Sequence, residues 1–435
     1  MTDKLLAPRH PQILAPRREL FAWAMYDFAN SGYTTVVLTA IFNTYFVGVI
    51  AAQAAGGRAT LYWTLAIAIA NALVLLSAPV IGALADFGAH KKRFLAITTI
   101  GCIVFTAALA TVGPGEMVTA MVLVILATMM FSAGENIIAA FLPEIAPPKA
   151  MGRLSGFGWA LGYVGGLLVL AMCLAYVSWA ESRGQSAAEY VPVTMLITAG
   201  MFALAALPTF IWLKERAHKS RLPEGEHYIA IGFKRVYRTW KDATRFRDLI
   251  RFLIALTVFQ SGIYTIIVLA AIYAQKVMGF TTRDTISMIM VVNITAAIGA
   301  FVFGLLQDRL GSIRTLVLTL LVWITALLIV YVSDSRPVFW LAANLIGLAL
   351  GASQSAGRAL VGLFSPPGRS AEFFGLWGLA VKLAAIIGPF SYGLITYLSH
   401  GDHRLAILST NIFFIAGLVL LLTVNEERGK AAASM

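Results

Sequence analysis

Four charged residues, Asp27, Glu135, Arg358 and Lys382, stand inside long apolar runs. One charged side chain at the centre of a bilayer costs roughly 2.5–3.5 kcal/mol or more. Residues kept at that cost usually face a polar interior and belong to a solute or proton path. Two acids and two bases can balance each other, so the set can be neutral as a group. Arg358 or Lys382 offers a grip on a carboxylate, and Arg does so through two parallel donors. Asp27 or Glu135 can hold an amine or carry a proton. Burial and a neighbouring Arg pull a carboxylate's pKa in opposite directions, so one balanced between them can titrate near neutral pH. The chemistry suggested is recognition of a small polar solute, a zwitterion for example, with protons as coupling partner. Asp27 and Arg358 can equally form a structural pair that ties two parts of the protein together.

The elements that must carry these residues are helices. The chain has 435 residues, 59% of them hydrophobic and only 12% charged, which is too much apolar surface for a soluble protein of this size. Runs of about 20 apolar residues recur, each long enough to cross roughly 30 Å of hydrocarbon. Twelve spans are predicted, near 20–50, 62–85, 94–112, 117–142, 153–178, 191–213, 251–275, 285–307, 315–333, 338–364, 371–398 and 405–424. The first is too long and too polar for a cleaved signal peptide, since it contains Asp27 and Asn30.

The net charge of +12 does not indicate nucleic acid. With both termini in the cytoplasm, 25 of the 33 Lys and Arg residues fall in cytoplasmic tails and loops. That asymmetry sets the orientation. The two cysteines, Cys102 and Cys173, fit neither a metal site nor a disulfide framework, and all six histidines fall in tails or loops. Gly156-x-Gly158-x-x-x-Gly162 is not a dinucleotide fingerprint, and no phosphate-binding loop is present. No cofactor, no metal and no enzymatic activity are expected.

Six spans, a basic linker and six more spans imply three parts: 1–213, a linker at 214–250, and 251–435. Ile229, Phe233, Val236 and Trp240 fall on one face of the linker, which predicts an amphipathic helix at the membrane surface. The two sets of spans share local features. Gly82-Ala-Leu-Ala-Asp86 recurs as Gly304-Leu-Leu-Gln-Asp308, 222 positions later. Pro147-Pro148 and Gly156 recur as Pro366-Pro367 and Gly375 at an offset of 219, which pairs Glu135 with Gln354.

Gly82-x-x-x-Asp86 with His90-Lys91-Lys92-Arg93, and Gly304-x-x-x-Asp308-Arg309-x-Gly311, resemble the loop signature of the major facilitator superfamily. The first copy departs at Phe87 and Ala89, where Arg and Gly are usual. Tyr26-Asp-Phe-Ala-Asn-Ser31, Gly162-Tyr-Val-Gly-Gly166, Gln354-Ser-Ala-Gly-Arg358, Ala371-Glu-Phe-Phe-Gly375, Lys382 and Gly388-Pro389 are similar to the vacuole-effluxer-like branch of that superfamily. The resemblance implies an all-α polytopic protein of twelve transmembrane helices in two pseudo-symmetric six-helix bundles. It also implies alternating access around a central cavity lined by spans 1, 4, 7 and 10. It implies a secondary transporter and suggests amino-acid export; the buried carboxylates suggest that protons are linked to it.

At 1.5 Å per residue, many polar groups gather at roughly 10–20 Å from the cytoplasmic helix ends. The expected substrate or proton site is Asp27, Asn30, Glu135, Asn136, Tyr163, Gln260, Tyr264, Gln354, Arg358 and Lys382, with Asn293 at similar depth. Asp86, Arg93, Asp308 and Arg309 are expected to form a cytoplasmic gate, the carboxylates meeting helix N-termini or loop cations. The glycines at 152, 156, 158, 162 and 166 are expected to let helices pack closely. A monomer in a bacterial inner (plasma) membrane is expected, with small solute, lipid and protons as partners and no nucleic acid. Two other readings remain open: export of amphipathic drug- or lipid-like compounds, and a receptor or scaffold that transports nothing.

Overall fold

The computed structural model describes residues 11–52, 58–216, 234, 237, 244–400 and 402–434. In hydrocarbon a backbone must satisfy its own hydrogen bonds, so apolar runs of this length become helices. Among the described residues, twelve helices are long and apolar enough to cross a membrane. They are α1 (Arg17–Ile50), α2 (Arg58–Gly88), α3 (Lys91–Thr111), α4 (Met117–Ile145), α5 (Pro148–Ser182) and α6 (Ala187–Trp212). The second six are α7 (Arg247–Ala271), α8 (Ser287–Leu310), α9 (Ser312–Val332), α10 (Arg336–Phe364), α11 (Ser370–Leu398) and α12 (His403–Leu421). A short α13 follows at Glu426–Ser434. Among the described residues there is no strand. The residues of the predicted linker helix, Ile229, Phe233, Val236 and Trp240, lie outside the described residues.

Local chemistry sets several helix ends. Ser186 and Glu189 form a capping box before α6, and Thr281 with Asp284 forms another where the α8 helix begins. Gly311, at φ 87°, takes the left-handed turn that ends α8 and lets α9 start at once. The Asp402 carboxylate accepts the Arg404 and Leu405 amides at the start of α12.

Two spans depart from the expected regular helix. α12 breaks at Thr410, between His403–Ser409 and Asn411–Leu421. α1 is α-helical only over Arg17–Gly32; Tyr33–Ala40 and Phe46–Ile50 are π-wound, with a short α-turn at Phe42–Tyr45 between them. Five-residue hydrogen bonds mark this winding, as in Ile41 N–H to Val36 O at 2.9 Å and Ala51 N–H to Phe46 O at 2.8 Å.

The sequence repeat reappears as paired contacts between the first six helices and the last six. A Cβ on Gly156 would strike the Ala300 carbonyl of α8, and a Cβ on Gly375 would strike the Ala78 carbonyl of α2. The offsets of 219 and 222 superpose these two contacts. Gly82 against Ala371 and Gly304 against Gly152 are likewise equivalent. Small residues thus bring backbones together along two seams, α2–α11 and α5–α8. Gly158, Gly162 and Gly165 serve the other side of α5, against α1.

The end of the molecule that carries both termini is tied by a second duplicated set. Glu19 accepts the Lys214 amide at 3.0 Å and two Arg216 guanidinium bonds at 2.6 and 2.8 Å. Asp248 does the same with the Asn425 amide at 2.9 Å and Arg428 at 2.5 and 2.7 Å. Glu215 caps α3 by accepting the Lys91 and Lys92 amides, and Glu426 caps α9 through the Ile313 amide.

Candidate functional site

Asp27 and Arg358 meet although 331 positions separate them. Arg358 projects from α10 and is 3% exposed. Its Nη1 donates to Asp27 Oδ2 at 2.7 Å, its Nε to Ser155 Oγ at 3.1 Å and its Nη2 to the Ser155 carbonyl at 2.8 Å. Ser155 Oγ donates in turn to the Ser355 carbonyl of α10. The guanidinium also lies 4.8 Å from the Trp23 ring centre and 5.3 Å from that of Trp159. Gly158 makes room for this cluster, because a Cβ there would contact Asp27, Arg358 and Trp23. Every edge of Arg358 is therefore engaged, and the cluster links α1 and α5 to α10. A buried pair of this kind owes its stability to saturated hydrogen bonding, since desolvation opposes it.

Glu135 and Lys382 are arranged differently. They project from α4 and α11, so each comes from one of the two sets of six helices. Both are half-buried. Among the described residues neither makes a hydrogen bond or an ion pair, yet Glu135 lies within electrostatic reach of Lys382, and beyond it of Asp27 and Arg358. Tyr264 of α7 also feels Glu135, and Tyr163 of α5 feels Tyr264. Tyr163 sits with its ring centre 5.9 Å from that of Trp159.

Gln260 Nε2 donates to Gln354 Oε1 at 3.0 Å, and its own Oε1 is buried without a hydrogen-bond partner. Asn136 is 7% exposed; its Nδ2 has no hydrogen-bond partner and its amide abuts Gly378 of α11. Asn30 is 6% exposed and makes no side-chain hydrogen bond among the described residues. Asn30-Ser-Gly and Gln260-Ser-Gly occupy matching positions, 230 residues apart, in α1 and α7. Asn293, by contrast, spends its amide on the Ile289 carbonyl of its own helix. The predicted residues thus fall into a saturated cluster around Arg358 and an open one around Glu135 and Lys382.

The seams lie toward the terminal end. Asp86 Oδ2 accepts the Glu372 amide at 2.8 Å, at the N-terminus of α11. Asp308 accepts the Gly152 and Arg153 amides at 2.9 and 3.2 Å, in the first turn of the helix that forms most of α5. Each carboxylate meets the positive end of a helix dipole from the opposite set. The cations beside them are not those expected. Arg93 and Arg309 are exposed and have no partner among the described residues. Lys91 instead is fully buried; its Nζ lies 3.2 Å from Asp86 Oδ1, donates to Ser370 Oγ at 2.9 Å and contacts Glu144. Arg153 takes the place expected of Arg309, 3.9 Å from Asp308. The reason is helical phase. Arg93 follows Lys91 by two residues, which turns it to the far side of α3. Glu144, Ser155 and Ser370 complete these contacts; as isolated polar residues they give no periodic signal in the sequence.

A lateral cavity of 200 Å³ lies apart from this centre, against α2, α3, α4 and the start of α11. Its walls are apolar, among them Val74, Ile81, Phe94, Ile97 and Met130. Of the polar residues discussed, Asn136 alone lines it.

Twelve spans, duplicated seams and charged groups at the centre define a transporter of the major facilitator superfamily. More narrowly, residues 58–434 match the family described as vacuole effluxer Atg22-like, and the chain belongs to that family. It is 26% identical over 409 residues to an uncharacterized MFS-type transporter of Bacillus subtilis, YxiO, covering 93% of this chain and 94% of that one. It is 25% identical over 308 residues to autophagy-related protein 22-1 of Neosartorya fischeri, covering 66% of this chain and 50% of that protein. The chain thus spans about half the length of that fungal relative. In fold it is similar to the human organic anion transporter MFSD10, with a TM-score of 0.73 at 15% identity over 93% of this chain and 99% of that one. It is also similar to the proton:xylose symporter XylE, with a TM-score of 0.67 at 12% identity over 95% and 96%.

Proposed function

We propose that this transporter moves a small polar solute carrying both charges, with an amino acid as the best specific candidate, and that protons are its coupling ion. The observation that carries the reading is the pair Glu135 and Lys382, half-buried, within electrostatic reach of each other and without a hydrogen-bond or ion-pair partner among the described residues. The solute's ammonium group sits at Glu135 and its carboxylate at Lys382. Gln260, Gln354, Tyr163, Tyr264 and Asn30 supply neutral hydrogen bonds around it, whereas Asn136 faces the lateral cavity and Gly378. When the site is empty, Glu135 is free to take up a proton, which links solute release to proton binding. Asp27–Arg358 holds the two sets of helices together beneath the site while the terminal-end seams are closed. Transport proceeds by rocking 1–213 against 251–435, with 214–250 as tether. The lysine and arginine bias favours a cytoplasmic terminal end; the membrane is read as a bacterial plasma membrane and the working unit as a single chain.

The test is counterflow of labelled neutral amino acids in proteoliposomes, compared with empty liposomes. Protein-dependent exchange that is lost in Glu135→Gln and in Lys382→Met supports the site. Exchange at the wild-type level in both variants removes it. A second reading is export of an amphipathic compound, favoured by the lateral apolar cavity beside α4. Exchange of a lipophilic cation, with no exchange of amino acids, would select it.

A further inference from the structure

A second pocket, of 180 Å³, opens at the terminal end, where α1 starts and α6 stops. Thr209 Oγ1 of α6 donates to the Ala22 carbonyl of α1 at 2.7 Å, so the two helices lie side by side there. α6 ends at Trp212, and the buried, extended Leu213 turns the chain so that Lys214 and Arg216 come back over the start of α1. The pocket is lined on one side by Arg18, Lys214 and Arg216, and on the other by Ile211 and Trp212.

The charges do not cancel. Glu19 also lines the pocket, but the Arg216 guanidinium and the Lys214 amide already occupy both of its oxygens. Arg18 and Lys214 are exposed, and neither side chain makes a hydrogen bond or an ion pair among the described residues. The cationic side is therefore ready for an anion rich in acceptor oxygens, such as a phosphate. The other side continues into the membrane. Leu204, Leu207 and Ile211 are all exposed and fall on one face of α6, and Phe21, one turn beyond Arg18, is exposed on α1. Trp212 stands where that apolar strip meets the cations, as tryptophans do at the edge of a bilayer.

The matching corner of the second set is a contrast. Asp248 takes the place of Glu19, and the amide it accepts comes from Asn425, where Glu19 accepts that of Lys214. Counting back from that pair, Thr423 stands for Trp212. A cation and an indole at the helix end thus belong to the first set, although the carboxylate latch is common to both.

We propose that this pocket binds the phosphate of an anionic phospholipid, with an acyl chain laid along the exposed strip of α6. A free phosphate compound would use the cations and leave the apolar side empty; a lipid matches both. Basic pockets beside membrane helices hold anionic headgroups in this way. Once bound, the headgroup fastens residues 214–216 to the start of α1. The site does not depend on which solute is transported.

The test follows the thermal midpoint of the full chain in a non-ionic detergent, titrated with phosphatidylglycerol, phosphatidylcholine or glycerol 3-phosphate. Phosphatidylglycerol is expected to raise the midpoint saturably and at lower concentration than the other two. Arg18→Gln with Lys214→Gln should raise the half-saturating concentration of phosphatidylglycerol by about tenfold or more. The charge-keeping pair, Arg18→Lys with Lys214→Arg, should retain most of the affinity. Arg309→Gln with Arg314→Gln removes the same charge from exposed positions elsewhere on the terminal end and should leave the titration as in the wild type. No saturable stabilisation by phosphatidylglycerol overturns the proposal, as does an unchanged titration in the Arg18 and Lys214 glutamine pair. An equal loss in both glutamine pairs also overturns it, because the attraction would then be a diffuse property of the basic surface. Stabilisation by glycerol 3-phosphate as effective as that by the lipid would assign the pocket to a free phosphate compound, and equal stabilisation by phosphatidylcholine would remove the requirement for an anionic headgroup; either result overturns the lipid assignment.

Discussion

The α2–α11 and α5–α8 seams have the same backbone plan and different electrostatics. In each, a carboxylate at the end of one helix accepts amides from the first turn of a helix in the other set: Asp86 with Glu372, Asp308 with Gly152 and Arg153. The α2–α11 seam adds a sealed knot, with Lys91 between Asp86, Glu144 and Ser370. At the matching positions the other seam has Ile313 for Lys91 and Leu363 for Glu144, and its nearby cation is the exposed Arg153. Duplication preserved the geometry of closure and let its strength diverge. Under the alternating access proposed above, the softer seam is the one expected to open first.

Four substitutions probe that contrast, from strongest effect to weakest. Arg358→Ala removes the cluster lying beyond both seams and leaves the buried Asp27 charge without a partner, at a cost of roughly 3–5 kcal/mol. Counterflow should fall to the level of empty liposomes and the thermal midpoint in detergent should drop; normal counterflow would mean that the seams alone suffice. Asp27→Asn keeps the shape while removing the charge, and should abolish transport in a protein that still elutes as a single folded species.

Lys91→Met leaves Asp86 and Glu144 facing each other, and the lost pairing is worth about 3 kcal/mol. Spin labels replacing the exposed Arg93 and Arg314 should report a larger fraction of long distances across the terminal end. An unchanged distance distribution would make the two seams equal in strength. Arg153→Ala, at the soft seam, should change stability by less than about 1 kcal/mol, because exposed ion pairs contribute little. A larger shift in thermal midpoint would show that the α5–α8 seam depends on its cation after all.

Much of this architecture is legible in the sequence. Apolar runs of the right length call for twelve spans, since a bilayer allows few alternatives, and the repeated Gly-x-x-x-Asp motifs mark the carboxylates that close the seams. The charged residues inside spans also point to the centre, because hydrocarbon makes each of them conspicuous. Pairing is harder to read. Asp27 with Arg358, and Glu135 apart from Lys382, depend on how α1, α4, α10 and α11 rotate about their axes, which periodicity in an almost uniformly apolar helix does not reveal. Lys91 is hidden among Lys92 and Arg93, where only helical phase distinguishes a buried cation from solvated ones. The π winding of α1 leaves no signature either, as Thr and Val are common in ordinary spans.

The caps at the terminal end bear on how the chain could be divided. Glu215 holds α3 through Lys91 and Lys92, and Glu426 holds α9 through Ile313, so each set of six helices ends on a residue that fastens back onto itself. Glu19 and Asp248 repeat the arrangement at the opening helix of each set. Nothing in either ring of contacts requires a peptide connection between residues 217 and 243. A gene split within that stretch would yield two fragments, each with its own closure intact, able to find one another in the membrane as separate polypeptides.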